Sequence, residues 1–203
     1  MIICSYYTKN TPYESVANEF IIPTVKKFNL PHEIISINDL GDWNKNTGYK
    51  ATFCKETLLK YKEPICFLDS DAEIVKYPQV LFDIPNTFDI GYFHFNWSKH
   101  WRNIDNPNEK LQLLSGTLWF NYNNNVLNII QQWIDNVNLD HRHWEQKILE
   151  DIVSGSNLNI YKLPAEYCCV IMQNNKLPNY ITDPVIIHHQ ASRKLKNRQN
   201  WTT

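Results

Sequence analysis

The chain has 203 residues, 43% of them hydrophobic and 20% charged, which suits one folded domain with a proper core and sets disorder aside. Its formal net charge of -1 and pI near 6.6 give no global reason to expect nucleic-acid or membrane binding. The five cysteines, Cys4, Cys54, Cys66, Cys168 and Cys169, lack C-x-x-C spacing and are odd in number, so a reduced, cytoplasmic protein is expected rather than a disulfide or zinc scaffold.

Ile2 to Tyr6 predicts a first strand, entered directly from Met1 without a basic leader or a long apolar segment. Neither a signal peptide nor a membrane span is expected. Tyr7 to Pro12 is the loop behind it, and Tyr6, Tyr7 and Thr8 stand where a base could stack and hydrogen-bond, unless they are core or turn residues. Tyr13 to Phe28 carries Val16, Phe20, Ile21, Val25 and Phe28 as a helical stripe, with Pro23 a kink or boundary. His32 to Ile37 reads as a second strand, and this β-α-β opening predicts a parallel sheet with a right-handed crossover. Asn38 to Tyr49 is polar, and a helix is predicted over Ala51 to Tyr61 with Lys50 at its head. A cation there opposes the macrodipole, so Lys50 is either solvated or drawn to an anion such as phosphate.

Ile65-Cys66-Phe67-Leu68 is too short for a helix and fits a strand buried on both faces in the middle of a parallel sheet. Asp69 and Asp71 follow at its carboxyl end, where open α/β sheets bind ligands. Residues two apart leave a strand on one face, roughly 6 to 7 Å from each other, and two carboxylates there repel unless a cation joins them. Mg²⁺ or Mn²⁺, completed by substrate phosphates, is the economical solution. Three readings of this D-x-D compete. One is a solvated strand end. Another is a haloacid-dehalogenase-type phosphatase, although Glu73 occupies the position that such a motif gives to Thr or Val, and that fold normally begins with it. The third is the D-x-D of nucleotide-sugar glycosyltransferases.

Val75 to Phe82 is a short connection, and Phe88 to Phe93 predicts another strand. Residues 96–110 form a long polar loop with Trp97, Trp101 and Arg102, a candidate acceptor-facing lid. Leu113 to Tyr122 contains Ser115-Gly116-Thr117, where a glycine permits close approach of backbone to ligand or marks a bulge. Amphipathic helices are predicted over Asn125 to Asn136 and His143 to Val153, the second opening with Trp144-Glu145-Gln146. Ile160 to Pro164 is a strand, and Pro184 to His189 is a last apolar run. It ends in His188-His189-Gln190-Ala191-Ser192-Arg193-Lys194, which could supply a third metal ligand and two diphosphate contacts; the basic run Arg193 to Arg198 alone reads as a solvated tail.

Six blocks carry a family resemblance: Tyr7-Thr8-Lys9-Asn10-Thr11-Pro12-Tyr13, Gly48-Tyr49-Lys50, Phe67-Leu68-Asp69-Ser70-Asp71, Leu114-Ser115-Gly116-Thr117-Leu118-Trp119-Phe120, Trp144-Glu145-Gln146 and Ile187-His188-His189-Gln190-Ala191-Ser192-Arg193. In this order they resemble GT-A glycosyltransferases, in particular the small bacterial and phage nucleotide-diphospho-sugar transferases distantly similar to the glycogenin-like families. The resemblance implies an α/β fold, a single GT-A (Rossmann-like) domain with a mostly parallel central sheet flanked by helices. It assigns residues 1 to about 95 to the nucleotide, and about 96 to 203 to donor sugar and acceptor.

The activity implied is metal-dependent transfer of a sugar from a nucleoside diphosphate donor, expected to be a UDP-sugar, with Mn²⁺ or Mg²⁺ and with retention of configuration. Asp69, Asp71 and His188 would hold the metal. Tyr6, Tyr7 and Thr8 would hold the base, Asp69 and Ser70 the rest of the nucleoside, and Lys50, Arg193 and Lys194 the phosphates. Ser115, Gly116 and Thr117 would face the donor sugar. Glu145 and Gln146 would stand at the reacting carbon, where related families have Asp-Gln, so which of the two touches it stays open. A nucleotide-sugar-binding module without turnover is the alternative of another class. The acceptor is open among a glycan, a protein side chain and a modified nucleotide in DNA.

Overall fold

The computed structural model describes residues 1–101, 104, 106, 108–139, 144–171 and 176–195. The N-terminal apolar run is β1 (Ile2–Thr8), followed by α1 (Pro12–Glu19), α2 (Ile21–Lys27) and β2 (His32–Ile37), which pairs with β1 in parallel as predicted. The predicted helix breaks at Phe20, ahead of Pro23. Pro23 then falls in the first turn of α2, where a missing N–H costs least. Helix α3 (Trp43–Tyr61) leads to β3 (Ile65–Leu68), parallel to β1 and buried at every position.

Helix α3 starts at Trp43 rather than Ala51. Asp42 caps it, its Oδ1 accepting the Lys45 N–H at 2.8 Å. Lys50 therefore lies in the third turn and not at a helix head, which corrects the expectation drawn from the macrodipole.

β3 pairs antiparallel with β6 (Gln112–Phe120), β6 antiparallel with β5 (Ile90–Phe95), and β5 parallel with β7 (Ile160–Lys162). The sheet order is β2-β1-β3-β6-β5-β7, mostly parallel, with β6 running against its neighbours. Alternation along the strands divides the core between two faces. Ile2, Cys4, Ile65 and Phe67 cluster with apolar side chains of α3, α5 (Asn124–Leu139) and α6 (Glu145–Ser154). Ile3, Cys66 and Leu68 cluster with Ala17, Ile21 and Val25 of α1 and α2.

A second, small sheet positions the site. β4 (Ala72–Ile74) precedes α4 (Gln79–Asp83), and beyond the turn at Ala165–Tyr167 come β8 (Cys169–Val170), β9 (Ile186–His188) and α7 (Ala191–Leu195). The order is β4-β9-β8, with Ala72 opposite His188 in the antiparallel pair. This register draws the tail imidazole alongside the D-x-D turn.

The proposed lid opens with a π-helical turn, Trp97–Trp101, and Arg102 lies outside the described residues, as does the basic run beyond Leu195. Among the described residues no helix is long and apolar enough to cross a membrane. The five cysteines are buried and form no disulfide.

Candidate active site

Where β3 ends the chain turns at once, Ala72 N–H donating to the Asp69 carbonyl at 2.9 Å and Asp69 N–H to the Gly116 carbonyl at 3.0 Å. The Asp71 carboxylate accepts the Ala191 N–H at 2.8 Å at the start of α7, and the Asp71 carbonyl accepts the His189 N–H at 3.2 Å. His188 is 4% exposed. Its Nδ1 stands 3.6 Å from Asp71 Oδ1, too far for a hydrogen bond, and makes none elsewhere among the described residues.

One ligating atom each from Asp69, Asp71 and His188 lies within 4.8 Å of the other two. Ligands on opposite sides of a Mg²⁺-sized ion stand about 4 Å apart, so the cluster has the dimensions that one such ion spans. Burial alone would lower the His188 imidazole, yet Asp71 and Cys168 lift it to about 10. Against the same burial, His188 holds the Asp71 carboxyl below its ordinary value. The pocket around Nδ1 attracts positive charge.

Lys50 is 3% exposed and saturated. Its Nζ reaches Glu145 Oε1 at 2.8 Å, Asp69 Oδ1 at 3.0 Å, and the Ser115 Oγ and carbonyl oxygen at 3.2 and 3.3 Å. The anions it meets are the protein's own. Ser115 Oγ donates to Glu145 Oε1 at 3.0 Å, Ser115 N–H to Gln146 Oε1 at 3.0 Å, and Trp133 Nε1 to the Glu145 carbonyl at 2.8 Å, which seats the first turn of α6 on β6 and α5. Burial would pull the ammonium down, but Asp69 and Glu145 hold it above the ordinary lysine range. Partial withdrawal from water, with the side chain still 41% exposed, lifts the Asp69 carboxyl despite Lys50, and the like charges of Asp71 and Glu145 add to the lift. Asp69 and Glu145 share one ammonium, and Asp71 stands beside Asp69 with no lysine of its own, so negative charge is left over where a cation could sit.

A cavity of about 240 Å³ opens on this cluster, and Tyr6, Tyr7, Thr8, Lys50, Asp69, Ser70, Asp71, Ser115, Glu145 and Gln146 all line it. Tyr6 is wall and core at once: its hydroxyl donates to the Asn46 carbonyl at 2.6 Å, and its ring meets Tyr49 and Phe53 edge-on. Five expected site residues do not line the cavity, and one of them is His188, which stands beside Asp71. Gly116 and Thr117 lie against the His188 ring, and Arg193 and Lys194 are exposed on α7, next to Ser192, which does line it. Trp43 and Trp144 also line it, their rings 6.4 Å apart and Trp144 50% exposed. In the sequence Trp43 is hidden in a polar stretch, and Trp144 is marked only by its place beside Glu145.

No protein-family profile and no curated protein sequence matches this chain. Solved structures do. The glycosyltransferase involved in glycosylation of the major capsid of PBCV-1 superposes with a TM-score of 0.68 at 14% identity, covering 97% of this chain and 98% of that one. For the bifunctional glycosyltransferase WbbM the TM-score is 0.63 at 14% identity, over 94% of this chain and 45% of the other. For the galactosyltransferase LgtC, in complex with donor and acceptor sugar analogs, it is 0.59 at 12% identity, over 94% and 87%. This chain has the GT-A fold. On that GT-A frame the D-x-D turn and Lys50 line one cavity, and the β9 imidazole stands beside them, clustered with Asp69 and Asp71.

Proposed function

We propose that the protein is a glycosyltransferase that moves a sugar from a nucleoside diphosphate sugar, a UDP-sugar in the first instance, with a divalent ion held by Asp69, Asp71 and His188. The observation that carries this reading is the buried, unpartnered Nδ1 of His188 facing two carboxylates at the end of β3. Two carboxylates with one imidazole favour Mn²⁺ over Mg²⁺, because Mg²⁺ prefers an all-oxygen shell. A divalent ion bound there would neutralise the charge that grows on the β-phosphate as the diphosphate departs.

Tyr6, Tyr7, Thr8, Asp69 and Ser70 all line the cavity; the first three would hold the base, and Asp69 and Ser70 would stand next to the ribose. Lys50 would act on the donor through Asp69, whose orientation it fixes, and Arg193 and Lys194 would bring positive charge from α7. Ser115 and Gln146 line the cavity and would meet the donor sugar. Residues on both sides of position 95 line this one cavity, so the part expected to hold the nucleotide and the part expected to hold the sugar would meet in it.

Retention fits better than inversion. An inverting base must be free to take the acceptor's proton, and Glu145 Oε1 is already engaged by Lys50 and Ser115. Trp43 and Trp144 offer stacking faces that suit a sugar ring, which favours a glycan acceptor over a protein side chain or a modified nucleotide. A reduced cytoplasmic setting suits the buried thiols. The phosphatase reading would need Asp69 free as a nucleophile, whereas Lys50 holds it.

Calorimetric titration of UDP with and without Mn²⁺, followed by UDP release from a panel of nucleotide sugars, tests the proposal. Affinity that rises with the metal, and release from at least one donor, are expected. Indifference of UDP binding to Mn²⁺ would sink it, and tight binding with no release from any donor would make the protein a binding module.

A further inference from the structure

We infer that Thr117 and Gly116 serve the imidazole rather than the sugar: Thr117 keeps the hydrogen of His188 on Nε2, so that the ring is preset to bind a cation through Nδ1. This rests on the metal reading above and adds a residue that the reading does not require.

The inference follows from counting protons. Thr117 is fully buried on β6, and its hydroxyl has two polar neighbours, the Tyr167 carbonyl oxygen at 2.8 Å and His188 Nε2 at 2.9 Å. A hydroxyl has one proton to give, and a carbonyl oxygen can only accept. The proton therefore goes to Tyr167, and Oγ1 turns a lone pair to the ring. Nε2 must then carry a hydrogen whichever way the ring is charged, which leaves Nδ1 as the nitrogen whose proton a cation can displace. It is this Nδ1 that faces Asp71 without a hydrogen bond.

Gly116 fixes the plane of the ring. A Cβ there would fall 2.9 Å from Cε1, 3.1 Å from Nδ1 and 3.2 Å from Nε2, so the imidazole lies flat over the glycine and any side chain would push it off. The turn at Ala165–Tyr167 acquires a purpose too, since it places the carbonyl that takes the threonine's proton. Outer partners of this kind orient ligating histidines, and their loss costs about 10–100-fold in metal affinity.

The test uses the whole chain. Thr117→Val keeps the shape and removes the hydroxyl, and its Mn²⁺ affinity should fall by about 10–100-fold, while Thr117→Ser should stay close to the parent. Independently of any variant, cadmium NMR on the parent protein with nitrogen-labelled histidine should show coupling to Nδ1 of His188 and a hydrogen on Nε2. Coordination through Nε2, or a folded Thr117→Val that binds Mn²⁺ as the parent does, overturns the inference and leaves the metal reading intact. A parent that binds neither cation overturns both.

Discussion

A buried ammonium shared by two carboxylates is costly to leave half made. Glu145 is 6% exposed, and Lys50→Met would strand its charge in a cleft where Asp69 adds a second. The expected loss is about 3 kcal/mol, near the low end for a broken buried pair, because Asp69 keeps some contact with water. A urea midpoint measures it, and Glu145→Gln in the same chain should restore part of the loss by removing the stranded charge. A single variant as stable as the parent would mean that water reaches this pair after all. Asp71→Asn probes different physics. The amide oxygen can still accept the Ala191 N–H, so the fold should hold, but an anionic ligand is gone. Mn²⁺ affinity should drop by at least the roughly 10–100-fold that outer partners command, read by titration. Asp69 and Asp71 are legible in the sequence because strand-end chemistry is local. The role of Thr117 is not, since it depends on a carbonyl from Tyr167, brought near only by the fold.

Packing between elements explains both what periodicity announces and what it hides. β1, β3 and α5 each bury enough side chains to leave a pattern, whereas β4 and β8 have three and two residues and exist because β9 pairs with both. The first turns of α3 are polar, yet Gly48 lets that helix close on α5: a Cβ there would fall 2.5 Å from Val137 Cγ1. Gly48→Ala should gain about 0.5–1 kcal/mol in helix propensity and lose about 1–3 kcal/mol by overpacking. A net loss on thermal unfolding is expected, reversed to a gain when Val137→Ala opens the space. At the other flank of α3, Glu33 of β2 accepts from Lys60 at 2.8 Å and from the Tyr61 hydroxyl at 2.5 Å. The hydrogen bond from Lys60, with that from Tyr61, holds the Glu33 carboxyl below its ordinary 4.5. A carboxyl lowered in the folded state stabilises above its unfolded value, and that contribution disappears as pH falls through the folded one. Glu33→Gln should therefore lower the urea midpoint slightly at neutral pH and leave it unchanged in strong acid; a difference that persists in acid would assign the effect to packing.

At the scale of the whole molecule, the cation cluster is a joint. Asp69 belongs to the end of the six-stranded sheet, while Asp71 and His188 bracket the β4–β9 pair of the small sheet, and Ala191 ties the start of α7 to Asp71. That the sheet would be mostly parallel follows from the β-α-β opening, but that a second sheet would deliver His188 to the first depends on pairings no local pattern encodes. A ligand that grips both sheets in the native state and finds no such arrangement in the unfolded chain must stabilise the fold by mass action. At a Mn²⁺ concentration of about a hundred times its dissociation constant the gain is about 2.7 kcal/mol, which for a domain of this length raises the unfolding temperature by roughly 5 to 10 °C. Differential scanning fluorimetry over a Mn²⁺ series should show that rise in the parent and lose it in His188→Ala. UDP added with the metal should raise the temperature further, because the diphosphate would share the same ion. If the unfolding temperature ignored Mn²⁺ over the whole series, the two sheets would have to be held together by their apolar contacts and backbone pairing alone.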